Sequence, residues 1–564
     1  MAQISLKNFR KYESLEPLYL NGLNIFVGKN NAGKSTVVKA IMLALDNLRS
    51  LRWNNVPTGD EGILQKRTLP VPMFRFDANG FHNLHIGTFD RARCNYSDGK
   101  SIVFDLEYQG IGFKMVVSGN IGEGQVTVPV ESLCLTFPTG GSYEFNFSQQ
   151  FVSFKMTKEE ESDLDRGVAN ELVNLQAQIE KRITEAEESL KLAIKNSNAL
   201  QVAQLNEDIK KLVARRNQLA HSAKVENDEK PDVHFVTFPL YYLHEHAGEN
   251  VLVQYFRSLV RYAESPNFHI EESGDMLSGQ QKAKSSSILY KAEMGNRSFV
   301  LDRRPVINRD AAELENVLAS VNVEYLQAHA ATQKLILTVD DRQDINSKII
   351  HEYYQEGIQP GDPMDLFLKK WLAAFEIGES VEITQLDGEG YYVKVEIGGM
   401  KVHLADMGMG SIQLVVLMLR LATLGNRCLR SGQSGWVFIE EPEQNIHPLL
   451  QSRLAELFYD FQQSTKTTVI VETHSEYLIR KTQLMCAGMN YTSDKEARDS
   501  WPVTTLYFPV ETDEQPYDMI YLANGRFKKS FGSGFYDAAG SLAIELSSKE
   551  VVDGYAQEIN WSSL

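Results

Sequence analysis

Cysteine is scarce in this chain: four residues in 564, Cys94, Cys134, Cys428 and Cys486, scattered and forming no C-x-x-C. That excludes a disulfide framework and a cysteine-based zinc site, and it points to a reducing compartment, so the cytoplasm is the expected location. Uninterrupted apolar runs of about 18 residues are also missing, which predicts no membrane span. The opening Met1 to Lys11 has no apolar core of the kind a signal peptide needs. Positive charge is in deficit, with 57 Lys and Arg against 74 Asp and Glu and a net charge of −17. A surface of that kind does not coat nucleic acid as a whole, since phosphate neutralisation requires Lys and Arg, although a local basic groove stays compatible with it. What remains, 43% hydrophobic and 23% charged residues, is the make-up of a globular chain long enough for several domains.

The strongest local signal is Leu23 to Thr36. It fits G-x-x-x-x-G-K-[ST] at Gly28, Gly33, Lys34 and Ser35, between a β-prone run (Ile25, Phe26, Val27) and a helical pattern from Val37 to Leu45. The glycines let backbone N–H groups curl around phosphate oxygens, and the new helix points its positive end at them. Lys34 supplies a point charge for the β- and γ-phosphates, and the Ser35 hydroxyl can ligate Mg2+. Asn30, Asn31 and Thr36 complete the expected nucleotide contacts. The stretch predicts a nucleoside triphosphate site.

Residues 3 to 9 alternate apolar and polar as a half-buried strand does. Arg10, Lys11 and Tyr12 at its end have two readings, adenine contacts by stacking and cation–π attraction or a solvated loop. From about 70 to 155, short strands such as Ser101 to Tyr108 alternate with Gly-rich turns, which predicts an antiparallel sheet against the nucleotide lobe. Val168, Leu172, Leu175, Ile179, Ile183, Ala186 and Leu190 then follow a coiled-coil spacing, and Leu205, Ile209, Leu212 and Leu219 resume it after Asn196-Ser197-Asn198. This is a helical hairpin whose first arm reaches roughly 40 Å at 1.5 Å per residue, either packed on the body or projecting towards a partner. His244 and His246 lack further ligands at metal spacing. Leu277-Ser278-Gly279-Gln280-Gln281 resembles an ABC signature pentapeptide, but it lies far upstream of the acidic strand such a motif shortly precedes.

Asp406 to Gln413 is a Gly-bearing turn that opens a helix over Leu414 to Leu424, a second helix N-terminus suited to phosphate. Trp436 to Glu443 is a buried-strand pattern ending in adjacent carboxylates. Neighbours on a strand point to opposite faces, so one carboxylate can hold Mg2+ while the next addresses water. Val469 to Glu472 is another apolar strand, and His474 beyond it is placed to sense a γ-phosphate.

In that order, these motifs resemble the ABC-class ATPases of the SMC, RecF and OLD type. The chain is most similar to stand-alone OLD-like AAA ATPases of bacterial antiphage systems (the Septu, retron-associated and PARIS type). Asn8-Phe9-Arg10-Lys11, Asn30 to Thr36, Glu440 to Pro448, Glu472 to Leu478 and Tyr521 to Asp537 carry the resemblance, which covers roughly residues 1–60 and 323–540. It implies an α/β fold: an ABC-type P-loop NTPase head with an antiparallel β subdomain and an inserted α-helical coiled-coil hairpin. The implied divisions are 1–156, the N-terminal ATPase lobe; 157–225, the hairpin; 226–322, a mixed connecting region; and 323–564, the C-terminal ATPase lobe.

The resemblance also implies roles. Glu440 is the Walker B metal carboxylate and Glu441 the general base. Asn445 and His447 form the D-loop, and His474 is the switch histidine. Gly408, Gly410, Ser411 and Gln413 are a signature acting in trans, with ATP and Mg2+ as ligands. Related signatures run Gly-x-Gly-x-Ser-Gln, whereas this chain places Ser411 directly after Gly410. No glutamine is assigned to the Q-loop. No acidic Toprim pattern follows His474, and Glu511 with Asp513 reads as a solvated turn, so any nuclease belongs to another chain. The implied function is an ATPase subunit of an antiphage complex, a homodimer or higher even-numbered homo-oligomer. It would act as sensor or scaffold for a separate effector, a nuclease or toxin, with DNA or a phage product as trigger and no membrane. The alternative is a DNA repair or recombination ATPase. A transporter subunit is disfavoured by length and by the hairpin.

Overall fold

In the computed structural model the described residues are 2–58, 67–77, 86–138, 141–147, 151–155, 177–194, 202–213, 236–239, 250–256, 289–294, 297–302, 304–326, 337–338, 345–387, 390–488, 501–511, 514–531 and 544–545. The fold is α/β, as expected. Its centre is a six-stranded sheet in the order Val323–Leu326, Trp436–Glu440, Thr468–Glu472, Leu23–Val27, Val503–Tyr507 and Tyr517–Asp518. The first five strands run parallel, and the last is antiparallel to its neighbour.

Parallel strands covered on both faces are apolar throughout, and their alternation decides which core each residue enters. Phe26, Trp436, Phe438, Ile470 and Leu506 point to one face, where they meet the helix Lys34–Ser50 through Val37, Val38 and Ile41. Leu23, Ile25, Val27, Val437, Ile439, Val469 and Val471 point to the other. There they pack on the helices Pro363–Ala374, Met409–Ser431 and Pro448–Thr465. Met409–Ser431 begins earlier than the expected Leu414 and has the length and apolarity of a membrane span, which the run-length criterion missed. Its apolar window is 78% buried inside the protein, so it serves as a core helix.

The expected antiparallel subdomain forms part of a ten-stranded sheet that includes Ala2–Phe9, Tyr12–Leu20, Ser101–Tyr108, Ile111–Ser118 and Thr127–Thr136. Its inner face (Ile4, Leu6, Phe104, Leu106, Met115) shares one core with the Lys34–Ser50 helix, so the subdomain buttresses the P-loop helix directly. Of the hairpin, helical residues 177–194 and 202–213 are described, and Ile179 and Ile183 pack against Leu212 and Val213 in a cluster separate from both main cores. The hairpin turn, His244, His246 and Leu277 to Gln281 lie outside the described residues.

Candidate nucleotide site

The parallel register builds the site. Glu440 pairs with Glu472, and Glu472 pairs with Phe26 on its other side, so both carboxylates end their strands level with the entry to the P-loop. They share the face of Phe438 and Ile470, the face covered by the Lys34–Ser50 helix. Gly28 (φ +153°) and Gly33 (φ +100°) hold positive φ angles, and Asn31 (φ +62°) is left-handed as well. A Cβ at Gly28 would meet the Phe508 carbonyl oxygen at 2.5 Å, and one at Gly33 would collide with the Tyr12 hydroxyl. Glycine is therefore required at both positions.

Lys34 is 3% exposed and donates to the carbonyls of Gly28 (2.8 Å) and Lys29 (3.0 Å). Its Nζ lies 3.6 Å from Glu472 Oε1. The Ser35 hydroxyl donates to Glu472 at 2.8 Å. Burial lowers the Lys34 pKa while Glu472 opposes that shift, and burial raises the Glu472 pKa against the pull of Lys34 and Ser35. Both are charged groups taken from water and paired with one another.

Glu440 and Glu441 do not part to opposite faces as strand alternation predicts. The strand ends at Glu440, and Glu441 turns left-handed (φ +42°), with its N–H donating to the Glu472 carbonyl at 2.8 Å. Both side chains consequently line one cleft of about 670 Å³ with Asn30, Asn31, Gly33, Lys34, Ser35, Thr36 and Glu472. Glu440 accepts a 2.6 Å hydrogen bond from the Tyr325 hydroxyl. His474 Nε2 stands 3.6 Å from Glu441 Oε1, and burial together with Lys34 lowers its pKa against the influence of Glu441, which favours neutral imidazole. The His474 N–H is held by Glu443 Oε1 at 2.7 Å.

The cleft is more basic than the motifs foretell. Arg10, Lys11, Lys39, Arg91 and Arg93 line it too. Burial and Arg91 lower the Arg10 pKa, and burial and Arg10 lower that of Lys39, the pattern of like charges gathered around a space suited to an anion. Lys11 is half-buried and tied down: its Nζ donates to the Ala32 carbonyl at 2.9 Å and the Pro509 carbonyl at 2.7 Å. Tyr12, 4% exposed, is a buttress behind Gly33.

Gly408, Gly410, Ser411 and Gln413 stand elsewhere, and none lines this cleft. Gly408 caps the helix Met409–Ser431, and Gly410 packs against the Asn445 carbonyl so closely that a Cβ would collide with it. Asn445 (φ +58°) donates to Gln413 Oε1 at 3.3 Å. His447 is an N-cap, its Nδ1 accepting from the Leu449 N–H at 3.3 Å. Among the described residues no three His, Cys, Asp or Glu side chains form a self-sufficient metal centre. Mg2+ in a phosphate site does not need one, because a hydroxyl, one or two carboxylates, phosphate oxygens and water supply its octahedron. Ser35, Glu440 and Glu472 are donors of that hard, all-oxygen kind.

Sequence reasoning missed Glu472, Tyr325, Lys39, Arg91 and Arg93. Glu472 carried a visible signal, an acid closing an apolar strand just before His474; Arg91 and Arg93 carried none.

The chain is similar to the DNA replication and repair protein RecF of Lactococcus lactis subsp. cremoris, at 36% identity over 81 residues for strain MG1363 and 37% over 83 residues for strain SK11. Each match covers 13% of this chain and 23% of the relative, so it spans about a quarter of those proteins. Among solved structures, the Smc head domain with an extended coiled coil bound to the C-terminal domain of ScpA, from Pyrococcus furiosus, aligns at 11% identity and a TM-score of 0.32, covering 97% of this chain and 100% of that one. The SMC head domain from Thermotoga maritima aligns at 10% identity and a TM-score of 0.29, covering 93% and 96%. A family model described as an AAA ATPase domain matches residues 1–479, and the chain belongs to that family.

Proposed function

We propose that this protein binds and hydrolyses Mg-ATP as the ATPase subunit of a bacterial antiphage complex, controlling a separate nuclease or toxin. The observation that carries the ATPase reading is the convergence of Lys34, Ser35, Glu440, Glu441 and Glu472 in one cleft, with His474 beside Glu441. Lys34 and the N-terminus of its helix neutralise the phosphates. Ser35 and Glu440 would hold Mg2+, which would supply charge stabilisation to the phosphates. Glu441 takes the proton of the attacking water, which yields ADP and phosphate. His474, as neutral imidazole, donates a hydrogen bond to a γ-phosphate oxygen. Gly408, Gly410, Ser411 and Gln413, with Asn445 and His447 alongside, serve the site of a second copy, so the working unit is a homodimer.

Two variants test the ATPase reading. Lys34→Ala should abolish ATP binding in calorimetry. Glu441→Gln should bind ATP and fail to hydrolyse it, and wild-type turnover in that variant would refute the assignment. The antiphage role rests on the sequence resemblance, and purification from the native host should co-elute an effector. The similarity to RecF favours a second reading, a DNA repair or recombination ATPase. That reading expects DNA-stimulated hydrolysis and no co-eluting nuclease or toxin.

A further inference from the structure

We infer that Glu472 is a ligand of the nucleotide-bound Mg2+ beside Ser35, a carboxylate role the motif assignment gives to Glu440 alone. The inference rests on the Mg-ATP reading of the cleft. Mg2+ binds oxygen at 2.0–2.1 Å in a near-ideal octahedron, so two cis ligands stand about 2.9 Å apart. Ser35 Oγ and Glu472 Oε2 are 2.8 Å apart, already at the length of an octahedral edge. An ion seated against both oxygens would require almost no change in their separation.

Backbone geometry fixes this carboxylate. Glu472 closes its strand between Glu440 and Phe26 in parallel register, and its carbonyl receives the Glu441 N–H at 2.8 Å. It is 9% exposed, and Ser35 and Lys34 are the partners of its two oxygens. Glu440 differs: one of its oxygens is occupied by the Tyr325 hydroxyl at 2.6 Å. With Mg-ATP bound, the Ser35 hydroxyl proton would point away from Glu472, and Lys34 would pair with phosphate oxygen instead. Glu472 would then pair with the metal in place of a cation of the protein.

A competing account makes Glu472 a purely structural partner of Lys34 and Ser35. The two accounts differ in how they treat metal. The experiment measures ATP affinity by calorimetry, in excess MgCl2 and again in EDTA, for wild type, Glu472→Ala, the near-isosteric Glu472→Gln, and Lys34→Ala. If Glu472 is a ligand, both Glu472 variants bind ATP in EDTA at least as tightly as wild type, since a carboxylate has been removed from beside the phosphates. The gain in affinity on adding Mg2+ should shrink by at least about 10-fold. Mn2+ titrated into the ATP complex and followed by electron paramagnetic resonance should show the same weakening. An unchanged Mg2+ gain in Glu472→Gln overturns the inference and leaves the ATP site standing. Equal binding in wild type and Lys34→Ala, or no binding by wild type, overturns both.

Discussion

The Tyr325 hydroxyl donates a 2.6 Å hydrogen bond to Glu440 Oε2 across the parallel pairing of Val323–Leu326 with Trp436–Glu440. Burial and this carboxylate together drive the phenol pKa well up, so Tyr325 stays a donor at any working pH. It orients a carboxylate that would otherwise be free to rotate in the cleft. Tyr325→Phe removes a hydrogen bond to a charged group, worth about 1.5–3 kcal/mol. The variant should melt a few degrees lower and need more Mg2+ for half-maximal ATP binding. Unchanged Mg2+ dependence would show that Tyr325 only packs.

Behind the same strand, Arg420 of the Met409–Ser431 helix is 6% exposed and bridges Glu324 and Glu352, while Arg427 adds Glu356. Removing Arg420 leaves two partly buried carboxylates without their main counterion. Arg420→Ala should therefore cost about 3 kcal/mol or more in denaturant unfolding. Burial works to raise the Glu352 pKa, but Arg420 and Arg427 outweigh it and hold that carboxyl below the ordinary value of 4.5. A depressed folded-state pKa contributes stability that is fully present above the unfolded value and lost as pH falls through the folded one. Glu352→Gln should be less stable than wild type at pH 7, with the difference closing as pH falls below about 4.5. A gap that persists into acid would mean the pair acts through packing.

The P-loop, the buried strands and the antiparallel subdomain were legible because each is written locally, in glycines at fixed spacing or in runs of β-prone apolar residues. Glu441 was misplaced because its left-handed φ of +42° breaks the alternation that the preceding strand sets up. Glu472 escaped notice for a different reason. Its contact with Ser35 joins residues 437 positions apart and exists only because Thr468–Glu472 pairs in register beside Leu23–Val27. The same holds for Arg91 and Arg93, which reach the cleft because Arg10 docks to Ala92 through a 2.7 Å backbone hydrogen bond. Spacing within one strand gives the face of a residue, and only the order of strands in the sheet gives its neighbours.

The two glycines of the Asp406 to Gln413 turn are not equivalent. A Cβ at Gly410 collides with the Asn445 carbonyl, whereas one at Gly408, with φ −64°, meets nothing within 4 Å. Gly410→Ala should lower the melting temperature by forcing the Met409–Ser431 helix away from Asn445, while Gly408→Ala should melt close to wild type. Equal melting temperatures would show that the Asn445 loop yields freely.

That difference also selects the probe for assembly. The signature residues do not line the cleft of their own chain, and the chain carries one copy of each motif. Two copies related by a two-fold axis would give two complete sites, each joining one P-loop to the other protomer's Gly408 turn. Gly408→Asp places a carboxylate at the helix N-terminus without a steric clash, so it should leave ATP binding nearly intact and block hydrolysis by repelling phosphate. Lys34→Ala alone should fail at binding. Mixed together, the two variants form heterodimers in which one site combines an intact P-loop with an intact Gly408 turn, and hydrolysis should partly return. With random pairing about half of the dimers are mixed, each with one good site of two, so recovery should approach a quarter of wild type. No recovery, with a monomeric wild type in saturating Mg-ATP by light scattering, would refute the shared site and require the Gly408 turn to act within its own chain.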